Sequence, residues 1–176
     1  MKKLILVVTA LLFATAAFAQ NTKLPINEKT QKICFQKVVK TQGTPNQVHD
    51  RIISAFLNTY YKSAASVVFG DDGTKIQGKH TVQMSCNDEI KTKCPWVNYK
   101  FTIEIREGRI RYSLTDFTLK TSQSLFPIER WMDKSDPMYE PQWDSYIDQL
   151  ASFGQKWGSE LEEKLIPEKE IKEEDW

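Results

Sequence analysis

The chain has 176 residues, of which 24 are basic and 23 are acidic, and 40% of the residues are hydrophobic. This near-neutral balance provides no field that would draw the protein to nucleic acid or to an anionic membrane, so neither partner is predicted. The length fits one domain that can bury its own hydrophobic core.

The first 19 residues have the pattern of a secretory signal peptide. Two lysines precede an apolar run, and Ala17-Phe18-Ala19 forms a small-x-small cleavage site. Cleavage after Ala19 would give a mature chain that begins at Gln20 and lies in the periplasm or outside the cell. Loss of both lysines leaves 22 basic and 23 acidic residues, a net charge of −1. No later run approaches about 20 apolar residues, so no membrane span is predicted.

The chain contains three cysteines, Cys34, Cys86 and Cys94. Export permits disulfides, and the short polar separation of Cys86 from Cys94 predicts that these two pair and that Cys34 stays a buried thiol. The alternative is that all three are free core residues, because spacing alone is not geometry.

A polar leader over residues 20–30 precedes the first strand and the first helix. Residues 31–40 alternate as a strand, with Ile33 and Phe35 on its inner side. Thr44 can cap the helix that follows, Pro45 takes its first position, and Gln47 completes a capping box. The apolar stripe predicts that this helix continues to about residue 61.

Two strands are predicted next, over residues 66–69 and 75–86, with a turn cluster at residues 70–73. Ile76, His80 and Val82 share the inner face of the longer strand, so His80 is interpreted as a hydrogen-bonded core histidine and not as a ligand. Gly78 in the middle of this strand indicates a bend, a bulge or the close approach of a helix.

A β-hairpin is the best-defined local feature of the sequence. Two alternating runs flank Glu107-Gly108, and a two-residue loop pairs Ile105 with Ile110 on the apolar side. The same register sets Glu104 opposite Arg111 on the exposed side. The alternation shifts after Asp116, which predicts a bulge.

The connection over residues 122–140 is long and apolar for a loop, so it must pack on something. Its aromatic and methionine side chains could cover a cleft between the sheet and the last helix and hold an apolar small molecule, a peptide or an envelope protein. The alternative is that they close the open end of the core. The candidate ligand-binding residues are Phe126, Trp131, Met132, Met138 and Tyr139.

Residues 141–166 form one long amphipathic helix, and residues 167–176 form a charged tail that is predicted to be disordered. The helix would be about 39 Å long, which exceeds both the width of the expected sheet and the length of its strands. Trp143 to Trp157 should therefore pack on the sheet, while Leu161 and Leu165 project past it or meet the first helix. Gly154 and Gly158 are places where the helix could bend or be approached closely by the backbone of another element.

The elements predict an α+β fold of two layers, in the order β-α-β-β-β-β-α, with an antiparallel sheet of four to five strands and two helices on one face. The segments LPINEKTQKI, SVVFGDDGTKIQGKHTV and RIRYSLTDFTLK resemble the secreted bacterial domain-of-unknown-function family 4468. The resemblance covers residues 24–120 well and the last helix loosely. It implies a TATA-binding-protein-like (TBP-like) fold for residues 20–166 and no particular activity.

Motifs for catalysis, metals and nucleotides are missing from the sequence. The two histidines, His49 and His80, form no metal-binding spacing, and no nucleophile elbow or glycine-rich phosphate loop occurs. No cofactor and no metal are therefore predicted. One basic patch could form on the exposed sheet face, where it would meet an anionic partner or simply be solvated. Its residues are Lys79, Lys100, Arg106, Arg109 and Arg111.

The function favoured by this sequence is that of an extracytoplasmic, non-enzymatic binding or protein-interaction module. The alternative is a hydrolase-like envelope enzyme with a cleft between the sheet and the C-terminal helix. A cluster of titratable groups beside a polar nucleophile in that cleft would distinguish the enzyme from the binding module.

Overall fold

A computed structural model describes residues 24–86, 94–120 and 125–166. The predicted signal peptide, the new N-terminus at Gln20 and the charged tail lie outside these residues. In the described part, one antiparallel sheet has the strand order β1-β5-β4-β3-β2, and β6 pairs with the far end of β5. The strands are β1 Phe35–Lys40, β2 Val68–Asp71, β3 Lys75–Gln83, β4 Trp96–Arg106, β5 Arg109–Lys120 and β6 Leu125–Pro127.

The predicted two-layer α+β fold is confirmed, and the described residues form six strands in place of the predicted four to five. The additional strand, β6, lies in the connection over residues 122–140, to which no strand was assigned from the sequence, and its Phe126 pairs with Leu119. The first strand is shorter than predicted, because the chain before Phe35 makes only an isolated bridge between Ile26 and Ile33.

The hairpin of β4 and β5 has the predicted two-residue register. Ile105 lies opposite Ile110, and Arg111 forms an ion pair with Glu104. The predicted bulge is also present, since the register shifts between Asn98 and Lys100 and Asp116 adopts a φ of 55°. The bulge turns Phe117 inward, where it is 1% exposed.

The first helix, α1, comprises the α-helix Pro45–Arg51, the π-helix Ile52–Leu57 and the short α-helix Asn58–Tyr60. Its predicted capping box is confirmed, because the Thr44 hydroxyl accepts from the Gln47 amide and the Gln47 side chain accepts from the Thr44 amide. The π-helical turn was not predicted. It accommodates the adjacent apolar pairs of the stripe, and Ile52, Phe56 and Leu57 are all buried.

The long helix, α2, spans Gln142–Lys164 and lies on the same face of the sheet as α1. Trp157 is fully buried at the centre of this layer, with its ring 5.1 Å from Phe56 of α1 and 5.8 Å from Phe101 of β4. Leu161 and Leu165 are buried as well, at 0% and 3% exposure. Leu161 and Leu165 were predicted either to project past the sheet or to meet the first helix. The projection past the sheet is wrong.

The first helix and the first strand cover the end of α2. Arg51 of α1 donates a hydrogen bond of 2.9 Å to the Leu165 carbonyl, and Lys37 of β1 pairs with Glu162 at 2.7 Å. These contacts explain why no part of the apolar stripe of α2 overhangs the core.

Candidate functional site

A groove with a volume of about 1060 Å³ lies between α2, the second half of α1 and β3. It forms because the two helices lie over the middle of the sheet and leave the second half of β3 uncovered. One wall is the flank of α2, which contributes Ser145, Gln149, Ser152, Phe153, Lys156 and Glu160.

The floor of the groove is aromatic. Tyr61, directly after α1, stacks on Phe101 with 5.6 Å between ring centroids and 10° between planes. Tyr99 of β4 lies against Phe153 of α2, with ring centroids 4.9 Å apart. Tyr61 and Tyr99 are 8% and 2% exposed, so the floor offers little of their surface to solvent.

His80 lies on this floor, and the interpretation of His80 as a hydrogen-bonded core residue is wrong. It points to the helix face of the sheet, as its alternation requires, but it is exposed because neither helix reaches across β3. Its ring meets Tyr61 edge-on at 5.0 Å, and it makes no hydrogen bond to another described residue. The rings of Tyr61 and Tyr99 shield one side of the imidazole from water, and this partial desolvation lowers the pKa of His80 below the ordinary value, so the neutral form predominates at physiological pH.

A chain of hydrogen bonds runs beneath the floor. Trp157 Nε1 donates to Tyr61 Oη at 2.7 Å, and Tyr61 Oη lies 3.0 Å from Tyr99 Oη. Burial raises the pKa of both phenols well above the usual range, so both remain protonated. At the rim, burial and the neighbouring charge of Glu160 raise the pKa of Tyr60 to about 12.

One end of the groove is fastened by Gln149 of α2. Its side chain accepts from the Ser85 amide at 2.7 Å and donates to the Ser85 carbonyl at 3.0 Å. Ser85 precedes Cys86, which forms the predicted disulfide with Cys94. The segment after β3 is therefore tied to α2 by hydrogen bonds and, through the disulfide, to the residues that lead into β4.

Cys34 is the free thiol, as predicted, but it is half-buried and not fully buried. Burial, followed by the negative charge of Asp116, raises the pKa of this thiol. A raised pKa keeps it in the unreactive thiol form.

The five candidate residues of the aromatic connection do not line the groove. Trp131 is buried against Tyr146, with ring centroids 5.1 Å apart, at the N-terminal end of α2. Tyr139 packs edge-on against Trp143, Phe126 lies beneath Arg130, and Met132 and Met138 are exposed. The described part of this connection therefore extends the core under the start of α2.

The predicted basic patch lies on the opposite face of the sheet and divides into two groups. Lys79 is opposite Lys100, whose ammonium group sits 5.5 Å from the Phe69 ring. Arg106 and Arg109 face each other at the hairpin end, while Arg111 is neutralised by Glu104. The groups are separated along the strands, so the five side chains do not converge on one site.

Among residues 24–86, 94–120 and 125–166, no three His, Cys, Asp or Glu side chains are grouped to hold a metal ion. The described helices are also too short or too polar to cross a membrane.

The six-stranded sheet with two helices on one face defines a TBP-like α+β fold, and comparison with solved structures agrees. The chain is similar to a TBP-like protein from Parabacteroides distasonis, with a TM-score of 0.63 and 13% identity over 81% of this chain and 96% of that one. It is also similar to a DUF4468 family protein from Bacteroides ovatus, with a TM-score of 0.59 and 14% identity over 87% and 95%.

No protein-family model matches the sequence. No curated protein matches it either. At identities of 13% and 14%, the structural likeness shows the fold alone, and it confirms the predicted resemblance at that level.

Proposed function

We propose that the protein is an exported, non-enzymatic binding module whose ligand occupies the groove between α2, α1 and β3. The observation that carries this proposal is the exposed His80 on a floor of buried aromatic rings. A concave surface that combines aromatic rings with convergent polar groups can serve as a ligand site. The secretory pattern at the N-terminus and the Cys86–Cys94 disulfide support export.

Native mass spectrometry of protein purified from its own envelope tests the groove as the site. Ser152 lines the groove and Ser159 is exposed elsewhere on α2, so Ser152→Trp fills the groove while Ser159→Trp is the matched control. We expect a retained mass on the wild type and on the control, and its loss from Ser152→Trp. If Ser152→Trp still retains the mass, the ligand binds at another surface and the proposal is overturned.

The second candidate is a hydrolase-like envelope enzyme. A neutral His80 in a groove that Ser152 also lines favours it, because a histidine of lowered pKa can act as a general base. Hydrolysis of p-nitrophenyl acetate that exceeds the rate of free imidazole and disappears in His80→Ala would support the enzyme. A rate no greater than that of imidazole would exclude this esterase activity, and the binding module would stay the proposed function.

A further inference from the structure

Three basic side chains form a row on the open face of the sheet, the face opposite to the two helices. Arg109 of β5 lies between Arg106 of β4 and Lys40 of β1, and the register sets it directly opposite both. All three side chains are exposed, and none has an ion-pair partner among the described residues. Like charges directly opposite one another destabilise a sheet, so the row favours an anionic occupant.

A pocket of about 210 Å³ lies at this row, and Arg106 and Arg109 contribute to its lining. Val38 also lines it and is 56% exposed, so the pocket offers an apolar surface among the guanidinium groups. Glu104, another lining residue, is already paired with Arg111 and does not neutralise the row. The surface therefore suits an acidic segment that also carries apolar side chains.

The charged tail, residues 167–176, has this combination of side chains. It contains five acidic residues and two lysines, a net charge of −3 that equals in size the charge of the row. It also contains Ile171 and Trp176. A tryptophan ring stacks favourably on an arginine guanidinium, and an isoleucine side chain can cover exposed apolar surface.

The end of α2 lies at the same end of the sheet as the row. Nη1 of Arg51 donates to the Leu165 carbonyl at 2.9 Å and to the Gln42 carbonyl at 3.3 Å, so these two carbonyls are close neighbours. Gln42 lies just after β1, where the Thr41 amide donates to the Gly108 carbonyl at 3.1 Å in the turn between β4 and β5. The chain therefore leaves α2 beside the hairpin turn.

The charged tail is long enough to reach the open face from this point. Packed layers of secondary structure lie about 10 Å apart, whereas ten residues of extended chain span up to about 34 Å. The tail can therefore pass the hairpin turn and lie across β4, β5 and β1. Because it is tethered to α2, its effective concentration at the row is in the millimolar range.

We propose that the charged tail docks on the row of Lys40, Arg109 and Arg106 in its own molecule, with its acidic side chains paired to the row and an apolar side chain against Val38. This contact neutralises the row and covers the pocket. It lies on the face of the sheet opposite to the groove and does not depend on the function proposed for the groove.

An acid-free variant of the tail keeps the length of the chain and removes the negative charges. Its substitutions are Glu168→Gln, Glu170→Gln, Glu173→Gln, Glu174→Gln and Asp175→Asn. NMR spectra of this variant and of the wild type are compared, with the buried Trp157 Nε1–H resonance as the check that both are folded.

We expect the backbone amides of Val38, Lys40, Arg106 and Arg109 to shift between the two spectra, while that of His80 in the groove does not. The shifts should not depend on the protein concentration, because the contact is within one molecule. Shifts that grow with concentration would assign the row to the tail of a second copy and overturn the proposal. Unchanged amides in the row would overturn it as well.

A synthetic peptide of residues 167–176, titrated into the acid-free variant, measures the affinity of the contact. We expect a Kd below about 1 mM, because weaker binding would leave a tethered segment mostly undocked. Adding Arg106→Gln and Arg109→Gln should weaken binding about threefold to tenfold, whereas Lys79→Gln with Lys100→Gln, on the same face but outside the row, should have little effect.

A rise in NaCl from about 50 mM to about 500 mM should also weaken the binding of the peptide, because salt screens exposed charges. Equal losses from the two pairs of substitutions would show a general attraction between charges and overturn docking at the row. If the peptide does not bind but inorganic phosphate shifts the same amides, the row takes a free anion and the proposal is overturned.

Discussion

Aromatic rings pack directly on glycine at three positions of the core. A Cβ atom on Gly78 would lie 2.0 Å from the Phe101 ring, and one on Gly154 would lie 2.5 Å from the Phe35 ring. The sequence predicted a bend, a bulge or the close approach of a helix at Gly78. It predicted a bend or the close approach of another backbone at Gly154 and Gly158 of the last helix. A close approach occurs at both helix glycines, but the partners are side chains of the sheet. At Gly78 the partner is a ring of the neighbouring strand and not a helix.

Gly158→Ala should destabilise the protein although alanine is the better helix former. The new Cβ would lie 2.2 Å from Tyr112 Oη, which donates to Glu162 at 3.2 Å. Overpacking of this kind costs about 1 to 3 kcal/mol, which outweighs a helix gain of about 1 kcal/mol. Denaturant unfolding measures the change, with Ser159→Ala as the exposed neighbour that should be near neutral. A more stable Gly158→Ala would mean that Tyr112 moves freely.

His49 should give the protein a pH-dependent stability through its link between α1 and β2. Its Nε2 lies 2.9 Å from Asp71 and its Nδ1 lies 3.3 Å from Asp50. Burial acts to lower the pKa of His49, but the hydrogen bonds and charges of the two carboxylates outweigh burial and raise the pKa above 6.5. A raised pKa means that the folded state holds the proton more tightly than the unfolded state.

The contribution of His49 to stability is therefore full below about pH 6.5 and is lost as the pH rises through its folded pKa. Unfolding free energies between pH 5 and pH 8 should flatten in His49→Gln relative to the wild type. His80→Gln is the control of opposite sign, because a lowered pKa gives stability that is lost on acidification. A wild-type slope that persists in His49→Gln would assign the pH dependence to another group.

At the scale of elements, the periodicity of the sequence predicted the features that depend on residues close together in the chain. It missed the features that depend on the surface on which a segment packs. The hairpin register, the capping box and the bulge follow from alternation and from cap residues within a few positions of one another. The π-helical turn over Ile52–Leu57 and the strand β6 did not follow, because each depends on the surface on which the segment packs.

Leu165→Ala should destabilise the protein about as much as Leu150→Ala, by about 2 to 5 kcal/mol each. The sequence left open whether Leu165 projects past the sheet or meets the first helix, but Leu165 and Leu150 are both buried, at 3% and 0% exposure, because α1 and β1 cover the end of α2. Equilibrium unfolding in urea compares the two variants, with Ile166→Ala at 70% exposure as the control. A cost at Leu165 near that of the control would show that the last turn of α2 frays in solution.

At the scale of the whole molecule, the sequence predicted the layers and the general place of a cleft beside the last helix, but not its lining. Tyr61 and Tyr99 were assigned to a helix end and to a strand core, with no signal that they meet. Their meeting depends on where α2 crosses the sheet, and the contacts of Gly154 with Phe35 and of Gly158 with Tyr112 fix that position. Such contacts join residues more than forty positions apart, which periodicity does not connect.

The proposed export and the disulfide together give one prediction that concerns the entire chain. Cleavage after Ala19 should give an N-terminus at Gln20, and passage to an oxidising compartment should then allow Cys86 and Cys94 to pair, since their Cα atoms lie 5.5 Å apart. Non-reducing peptide mapping of the exported protein should link these two and leave Cys34 free. The same chain with residues 2–19 deleted should stay in the cytoplasm with three free thiols.

The disulfide should also stabilise one end of the groove, because it lies beside the hydrogen bonds between Ser85 and Gln149. Cys86→Ser with Cys94→Ser should lower the unfolding free energy by about 2 to 3 kcal/mol. Amide hydrogen exchange at Ser85 should accelerate more than exchange in β4, since the loss of the link frees the segment after β3 first. A mature chain that retains Met1, or a Cys34 linkage to either partner, would contradict the export route and the pairing, respectively.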